Sequence, residues 1–412
     1  MSPTSEFFNV QPVAAALGTL LAHWSPAKRA ISLDVRQALG RVLSGTVHSP
    51  ENLPAFTRST MDGYALRAAD TFGASASLPA YLRVVGSVPM GAASSASIGV
   101  GEAVEIHTGG MLPPGADAVV MVERTQPLGN AEIEVLTPVA PGDNLVLVGE
   151  DVWQGDVILP AGHRLRPQDI GGLLAVGVIR VDVSVSLRVG ILSCGDELVM
   201  PESDVSPGQI RDINAYTLAG LLAEAGAEPV LLGMARDNLA DFAGKALAGF
   251  DAVDMLIMTA GSSVSVRDLT AEVISGLGQP GILQHGLAVK PGKPTILAVC
   301  NNKPVIGLPG NPVSALLVAR QIVLPLVRHG MGQSVYRPAS IQAVLTHHIA
   351  STSGREDSVP VRLLESGGKL TAEPVFGKSN LIYTLMNADG LVFVPLNSGG
   401  LKAGTTVQVE LF

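Results

Sequence analysis

The chain is short of several residue types at once. Among 412 residues there are 2 cysteines, and aromatic residues make up 4%. Cys194 and Cys300 cannot build a disulfide framework, and no CxxC or Cys/His spacing points to zinc. Charged residues are scarce at 15%, with 36 acidic against 27 basic. The net charge of −9 argues against nucleic acid as the main ligand. The basic residues are also too few for a polybasic membrane patch. The most apolar region, 171–194, is interrupted by Arg180, Asp182 and Arg188, so it is not expected to cross a bilayer. The opening MSPTSEFFNV lacks the basic-then-apolar pattern of a signal peptide, which makes a cytoplasmic location the expectation. Tandem repeats and low-complexity tracts are absent.

What remains is 47% hydrophobic, largely Val, Leu, Ile and Ala, with 46 Gly and 28 Pro. That is the composition of a turn-rich α/β protein of two to four domains. Residues 10–45 read as a helix (VAAALGTLLAHW) followed by a second amphipathic segment ending at GRVL. Residues 51–142 switch to short β-like runs between Gly/Pro turns, as in a small β domain. Residues 143–186 are mixed, with VILPAGHRL extended and RPQDIGGLLAVGV helical. From 187 to 330 short apolar strands alternate with helices, which predicts βαβ units and a mostly parallel sheet. Residues 331–412 return to short strands and turns.

In open α/β sheets ligands bind at the carboxyl ends of the strands. Here those ends carry SCGDEL with Asp196 and Glu197, ARDN with Asp237, and TAGSSVSVRD closing on Asp268. The last strand runs into GLPGNPVSA, where Gly310-Asn311-Pro312 leads into a helix whose free N–H groups could hold an anion. Each piece alone has an ordinary structural explanation as a turn or a cap. Their convergence on one rim suggests an anion site with an oxygen-ligated divalent cation such as Mg²⁺, held by Glu197, Asp237 and Asp268.

The stretch HGLAVKPGKPTILAV raises a further point. Pro-Gly in VKPGKP has the signature of a type II turn, which would bring Lys290 and Lys293 together. Two ammonium groups so placed repel unless they reach water or share an anion. A solvated hairpin tip and an anion clamp both fit these residues, and the shared rim favours the clamp. Cys194, near the same rim, has no histidine close in sequence and reads as a packing residue, as does Cys300.

The motifs LPAFTRSTMDGYALRAAD, EIHTGGMLPPGADAVVMVE, GEDV, GDEL, VKPGKP and GLPGNPVSAL stand in the order seen in the MoeA family. The chain resembles that family, the molybdopterin molybdenumtransferases and the related gephyrin E domain, from about residue 10 to 412. The resemblance implies four domains: an elongated domain I (1–50 and 143–186), an inserted β domain II (51–142), a MogA-like three-layer α/β domain III (187–330) and a β-barrel-like domain IV (331–412). It implies insertion of molybdate into adenylylated molybdopterin, with Mg²⁺-dependent release of AMP. It implies a homodimer whose cleft is shared between subunits, and transient contact with a molybdopterin adenylyltransferase and with cofactor-receiving enzymes.

Carried over by position, Asp62, Glu197, Asp237, Asp268, Lys290 and Lys293 take catalytic places. Thr108, Asp151, Ser263, Ser265, Gly310, Asn311, Ser314, Arg355 and Ser379 take ligand-binding ones. The sequence departs from the family pattern in three places. TAGSSVSVRD is one residue shorter than the usual glycine-rich loop, NLVLVGED lacks the usual arginines, and Thr57 stands where an acidic or amide residue is common. Three other activities share these features: adenylylation of molybdopterin, insertion of tungstate, and a non-catalytic carrier or scaffold role.

Overall fold

The computed structural model of the protein describes residues 10–129, 131–261, 264–333 and 338–412, with the backbone alone for 264–267 and 366. Its centre is a six-stranded sheet. The strand order is Glu228–Ala235, Arg188–Cys194, Met255–Ala260, Lys303–Pro309, Ile296–Cys300, Pro280–His285. The first four strands are parallel, Ile296–Cys300 runs against them and Pro280–His285 runs with them, which makes the sheet mostly parallel as expected.

The strands read as continuous apolar runs because both faces are covered. Val189, Ile191, Met255, Ile257, Leu297 and Val299 point to one face, where they pack with helices Val13–His23, Asn214–Glu224 and Pro312–Val318. Leu192, Leu256, Met258, Ile296 and Ala298 point to the other, against helices Leu239–Ala252 and Val264–Ser275. The alternation is the period of two built into a strand. The result is a three-layer α/β/α unit. The first helix therefore packs on this sheet, although it precedes it by more than 150 residues of chain.

The segment after that helix is not a second helix. Ala30–Asp34 is a strand paired with Arg180–Ser184, followed by a single 3-10 turn, Val35–Gln37. The alternating Ile31, Leu33 and Val35 suit a ladder, and the Asp34 carboxylate accepts the Arg36 N–H at 2.9 Å to start the turn. Val47–His48 pairs with Val157–Leu159, so residues 30–48 and 157–184 share one core built on Leu43, Leu165, Leu173 and Val183. Between those two arms lies a six-stranded sheet running from Gly63 to Val135, an inserted β unit.

The C-terminal unit closes on itself. Glu356–Ser366, Lys369–Pro374, Ser340–Leu345, Thr406–Leu411 and Gly390–Val394 pair in that order, and the last pairs back to the first. A closed barrel leaves no edge among its own strands.

The helix Pro312–Gly330 has the length and apolarity to cross a membrane, but 61% of its apolar window is buried inside the protein. Its Val318, Ile322 and Val323 lie in the main core. It contains a π-turn, Ala319–Val323.

One polar cluster in the first unit gives a stability prediction. Asp169 is buried, and its carboxylate accepts from the Arg166 N–H at 2.7 Å and from Arg166 Nη2 at 2.9 Å, with His163 Nε2 at 2.6 Å. The Arg166 bonds hold its pKa well below the usual carboxylate range, and the His163 contact helps. A depressed folded pKa means the contribution is complete above the unfolded value of about 3.9 and fades as pH falls below it. Asp169→Ala should cost about 2 kcal/mol at neutral pH. In urea titrations the gap to the unsubstituted protein should narrow in strong acid; a gap unchanged between pH 7 and the acid limit would contradict this account.

Candidate functional site

The lysine turn joins two antiparallel strands, Pro280–His285 and Ile296–Cys300, at the sheet's carboxyl rim. Ile296 pairs with Gly307, close to the end of Lys303–Pro309, so the turn falls beside Pro309 and Asn311. The rim expected from sequence is therefore real at this side. The Lys290–Pro291 peptide is cis, Gly292 lies at φ +113°, and the Leu287 N–H donates to the Lys293 carbonyl at 2.9 Å. Before the turn, Val289–Lys290 pairs in parallel with Glu356–Asp357 of the barrel, which fixes how the chain enters it.

That pairing joins the two units along one wall of a cleft. A second seam lies at the helix start. The Val313 N–H donates to the Ser379 carbonyl at 3.1 Å, and Asn311 Nδ2 donates to Ser379 Oγ at 3.0 Å. A third link runs from Gln321 in the π-turn to Ser358 Oγ, at 2.7 Å. The cleft between these seams has a volume of about 900 Å³. Lys290, Lys293, Asn311, Ser314, Arg355 and Ser379 line it, so six of the residues predicted from sequence meet there.

Its charge is the opposite of the chain's. Among the described residues Lys290, Lys293, Arg355 and Lys378 line the cleft, against one carboxylate, Asp357. Arg355 Nε donates to Asp357 Oδ1 at 2.9 Å, and Asp357 is buried. A pair so placed aims the guanidinium while leaving its other N–H groups for a ligand. On the other side of that strand burial pushes the Glu356 carboxyl up. Lys378 and Asp357 were missed from the sequence. The signal was there: in GRED a strand's period of two puts Arg355 and Asp357 on one side, and Lys378 precedes Ser379 in GKSN.

Other predictions are corrected. The helix start at Pro312 has one donor fewer than expected, because a bond to the barrel occupies the Val313 N–H; the Asn311 side-chain Nδ2 makes a second such bond. Gly310 acts by close approach: a Cβ there would lie 2.8 Å from the Ala260 carbonyl oxygen, and its own carbonyl accepts from Asn214 Nδ2 at 2.8 Å.

The carboxylates do not join the lysines. Asp237 accepts from the Cys194 thiol at 3.3 Å, and its N–H donates to Asp196 at 3.3 Å. Burial, Asp237 and the charges of Asp196 and Glu197 push that thiol far up, which disfavours the reactive thiolate at Cys194. This group sits at the end of Arg188–Cys194, three strands from Ile296–Cys300, or about 15 Å along the rim at the usual strand spacing. Asp268 was expected where the loop meets the next helix, but it lies inside the helix Val264–Ser275, where it is exposed. Val264 and Val266 extend that helix back past it. Among the described residues no three His, Cys, Asp or Glu side chains are grouped to hold a metal. Glu197, Asp237 and Asp268 thus do not make the expected metal trio. Ser263 lies outside the described residues, and so does the side chain of Ser265.

Asp62 and Thr108 meet in the inserted β unit. The Thr108 N–H donates to Asp62 Oδ1 at 2.8 Å, and His107 Nδ1 lies 3.6 Å from the same oxygen. These contacts, the Thr108 bond first, lower the Asp62 pKa. Asp151 is exposed on a nearby loop, its N–H bonded to the Leu53 carbonyl at 3.0 Å. None of the three lines the cleft of its own chain among the described residues.

Fold and site together define a multidomain protein with a cleft lined by cationic side chains between a mostly parallel α/β sheet and a β-barrel. Three family models match consecutive parts of it: the MoeA N-terminal region (domain I and II) at 11–177, a probable molybdopterin binding domain at 190–329, and the MoeA C-terminal region (domain IV) at 342–412. The Haemophilus influenzae molybdopterin molybdenumtransferase is 34% identical, covering 92% of this chain and 93% of the relative. The Bacillus subtilis molybdopterin molybdenumtransferase is 33% identical over 92% and 88%. The crystal structure of a molybdopterin biosynthesis MoeA protein from Pyrococcus horikosii superposes with a TM-score of 0.82 at 35% identity, covering 98% of this chain and 99% of that one. The chain belongs to the MoeA family.

Proposed function

We propose that this protein inserts molybdenum from molybdate into adenylylated molybdopterin, releasing AMP, within molybdenum cofactor biosynthesis. The observation that carries the reading is the cationic cleft of an otherwise acidic chain. Lys290 and Lys293 would hold the oxyanion, with Arg355 and Lys378 on the same lining. Ser314 and Ser379 offer hydroxyls on the same lining. The carboxylates at the far end of the rim suit a long substrate that spans both places.

Mg²⁺ belongs to this proposal in a limited form. It would neutralise phosphate charge when bound. The chain's own carboxylates do not enclose it, so it would arrive with the phosphates as its main ligands, with Asp237 and Glu197 as candidate oxygen donors.

A homodimer with a shared site fits the placement of Asp62, Thr108 and Asp151. Around them the surface is unusually apolar: Phe56, Met61, Met111, Leu147 and Trp153 are all exposed. They lie on loops tied together by the Leu145–Val146 and Arg58–Ser59 pair and the Leu53–Val152 bridge. An apolar patch rimmed by polar groups suits a partner subunit. Localisation in the cytoplasm and contact with enzymes acting before and after it remain part of the same reading.

The test uses purified protein with adenylylated molybdopterin, Mg²⁺ and molybdate. Oxyanion-dependent AMP release is expected. Consumption of ATP with free molybdopterin would instead mark an adenylyltransferase, tight binding without turnover a carrier, and a strong preference for tungstate a tungsten enzyme. In the same assay, Asp62→Ala and Lys290→Ala subunits, each inactive alone, should regain activity when mixed. A mixture as inactive as its components would exclude the shared site.

A further inference from the structure

The cleft has one feature that binding of a small oxyanion does not require. Phe376 lines it and is 66% exposed. It is the aromatic side chain among the described residues of the lining. Its neighbours Ile382, Leu385 and Phe393 pack into a small core with Val313, Leu317 and Leu391, and Phe376 is left out of it.

The loop that carries the ring is fixed. The Val375 N–H donates to the Pro360 carbonyl at 2.8 Å, and three residues beyond Phe376 Ser379 receives the bonds from Val313 and Asn311. Gly377 is pressed on Thr384, whose Oγ1 would stand 2.2 Å from a Cβ at that position. The ring is thus held out in water by a braced loop, an unfavourable place for an apolar group with no partner. Lys378 follows it directly, and the other cations share the lining. A flat apolar face beside a cluster of cations matches a ligand that has a ring system at one end and phosphate at the other.

We propose that Phe376 is a stacking platform for a flat nitrogen heterobicycle, a purine or a pterin, at the cleft. The proposal rests on the substrate class given above and names which part of it this wall contacts. The ring reads the heterobicycle by its face, and the lysines and Arg355 hold the attached phosphates or the oxyanion.

Calorimetric titrations of the full-length protein with AMP, with a free pterin and with molybdate test this in the unsubstituted chain, Phe376→Ala and Phe376→Tyr. Phe376→Ala should weaken one of the two ring ligands by roughly tenfold, leave molybdate affinity unchanged and melt like the parent. Phe376→Tyr should keep the ring affinity. Which ligand loses affinity identifies the ring. Undiminished binding of both rings by Phe376→Ala would overturn the platform while leaving the proposed function standing. Equal loss of molybdate affinity would also overturn it, by marking a structural role. If the unsubstituted protein took molybdate but neither ring compound, the platform and the substrate assignment would fall together.

Discussion

Lys290→Ala should lower molybdate-dependent AMP release by about a hundredfold or more, the usual cost of losing one fixed charge or donor at an oxyanion. Folding should be spared. The Lys290 side chain is exposed, while its backbone carries the pairing to the barrel. An exposed side chain away from a packed contact usually shifts stability by no more than about 0.5 kcal/mol. The loss should fall on use of the oxyanion, so molybdate affinity should drop more than affinity for AMP. It should also be mimicked by high salt, which screens an exposed cation. Lys290→Arg should restore part of the activity, because charge returns but the point-like ammonium does not. A Lys290→Ala protein that melts several degrees lower and binds molybdate normally would make the lysine structural and remove the clamp.

Gly292→Ala should damage the same site through the backbone. Gly292 lies at φ +113°, where a side chain is strained, and a Cβ there would stand 2.3 Å from Val318 Cγ2. Val318 is buried in the main core, on the helix that begins at the cleft. Strain of about 1–3 kcal/mol adds to an overpacking cost of about 1–3 kcal/mol, a large part of a typical folding free energy. The two parts can be separated. Val318→Ala in the Gly292→Ala background should remove the clash but not the strain, so stability should recover in part while molybdate binding stays weak. Full recovery of both would show that the turn tolerates a side chain and that its geometry does not set the lysines. Denaturant midpoints and molybdate titrations of the two variants and the double variant give the answer.

These two predictions rest on information of different origin. That Lys290, Lys293, Arg355 and Ser379 share a cleft was signalled by short motifs. That Gly292 is locked by Val318 was not, because the contact joins a loop to a helix interior and leaves no periodic trace in the chain. The strands and helices of the α/β unit were legible for a plain reason. Both faces of the sheet are covered, so its strands are apolar throughout and its helices keep their apolar stripe. The segment from Ala30 to Gln37 was less so, since five residues of strand followed by one turn carry too few repeats to separate a period of 2 from one of 3.6. The helix expected from Asp268 starts four residues earlier, at Val264, for a similar reason: an early start costs nothing in the pattern.

The sequence by itself determined the order of units, the mostly parallel sheet, the cationic turn and the family. Those follow from local propensity, hydrophobic period and motif spacing, all properties of neighbours along the chain. Tertiary structure alone decided which rim residues work together. Strand order puts the lysine turn beside Pro309 and sets Asp196 and Asp237 several strands away. Pairing of Val289–Lys290 with the barrel brings Arg355, Phe376 and Ser379 into the same cleft as the lysine turn. Strand order and this junction arise from pairing between segments far apart in sequence. No residue's neighbours encode that pairing, so the rim read as one site while the fold divides it.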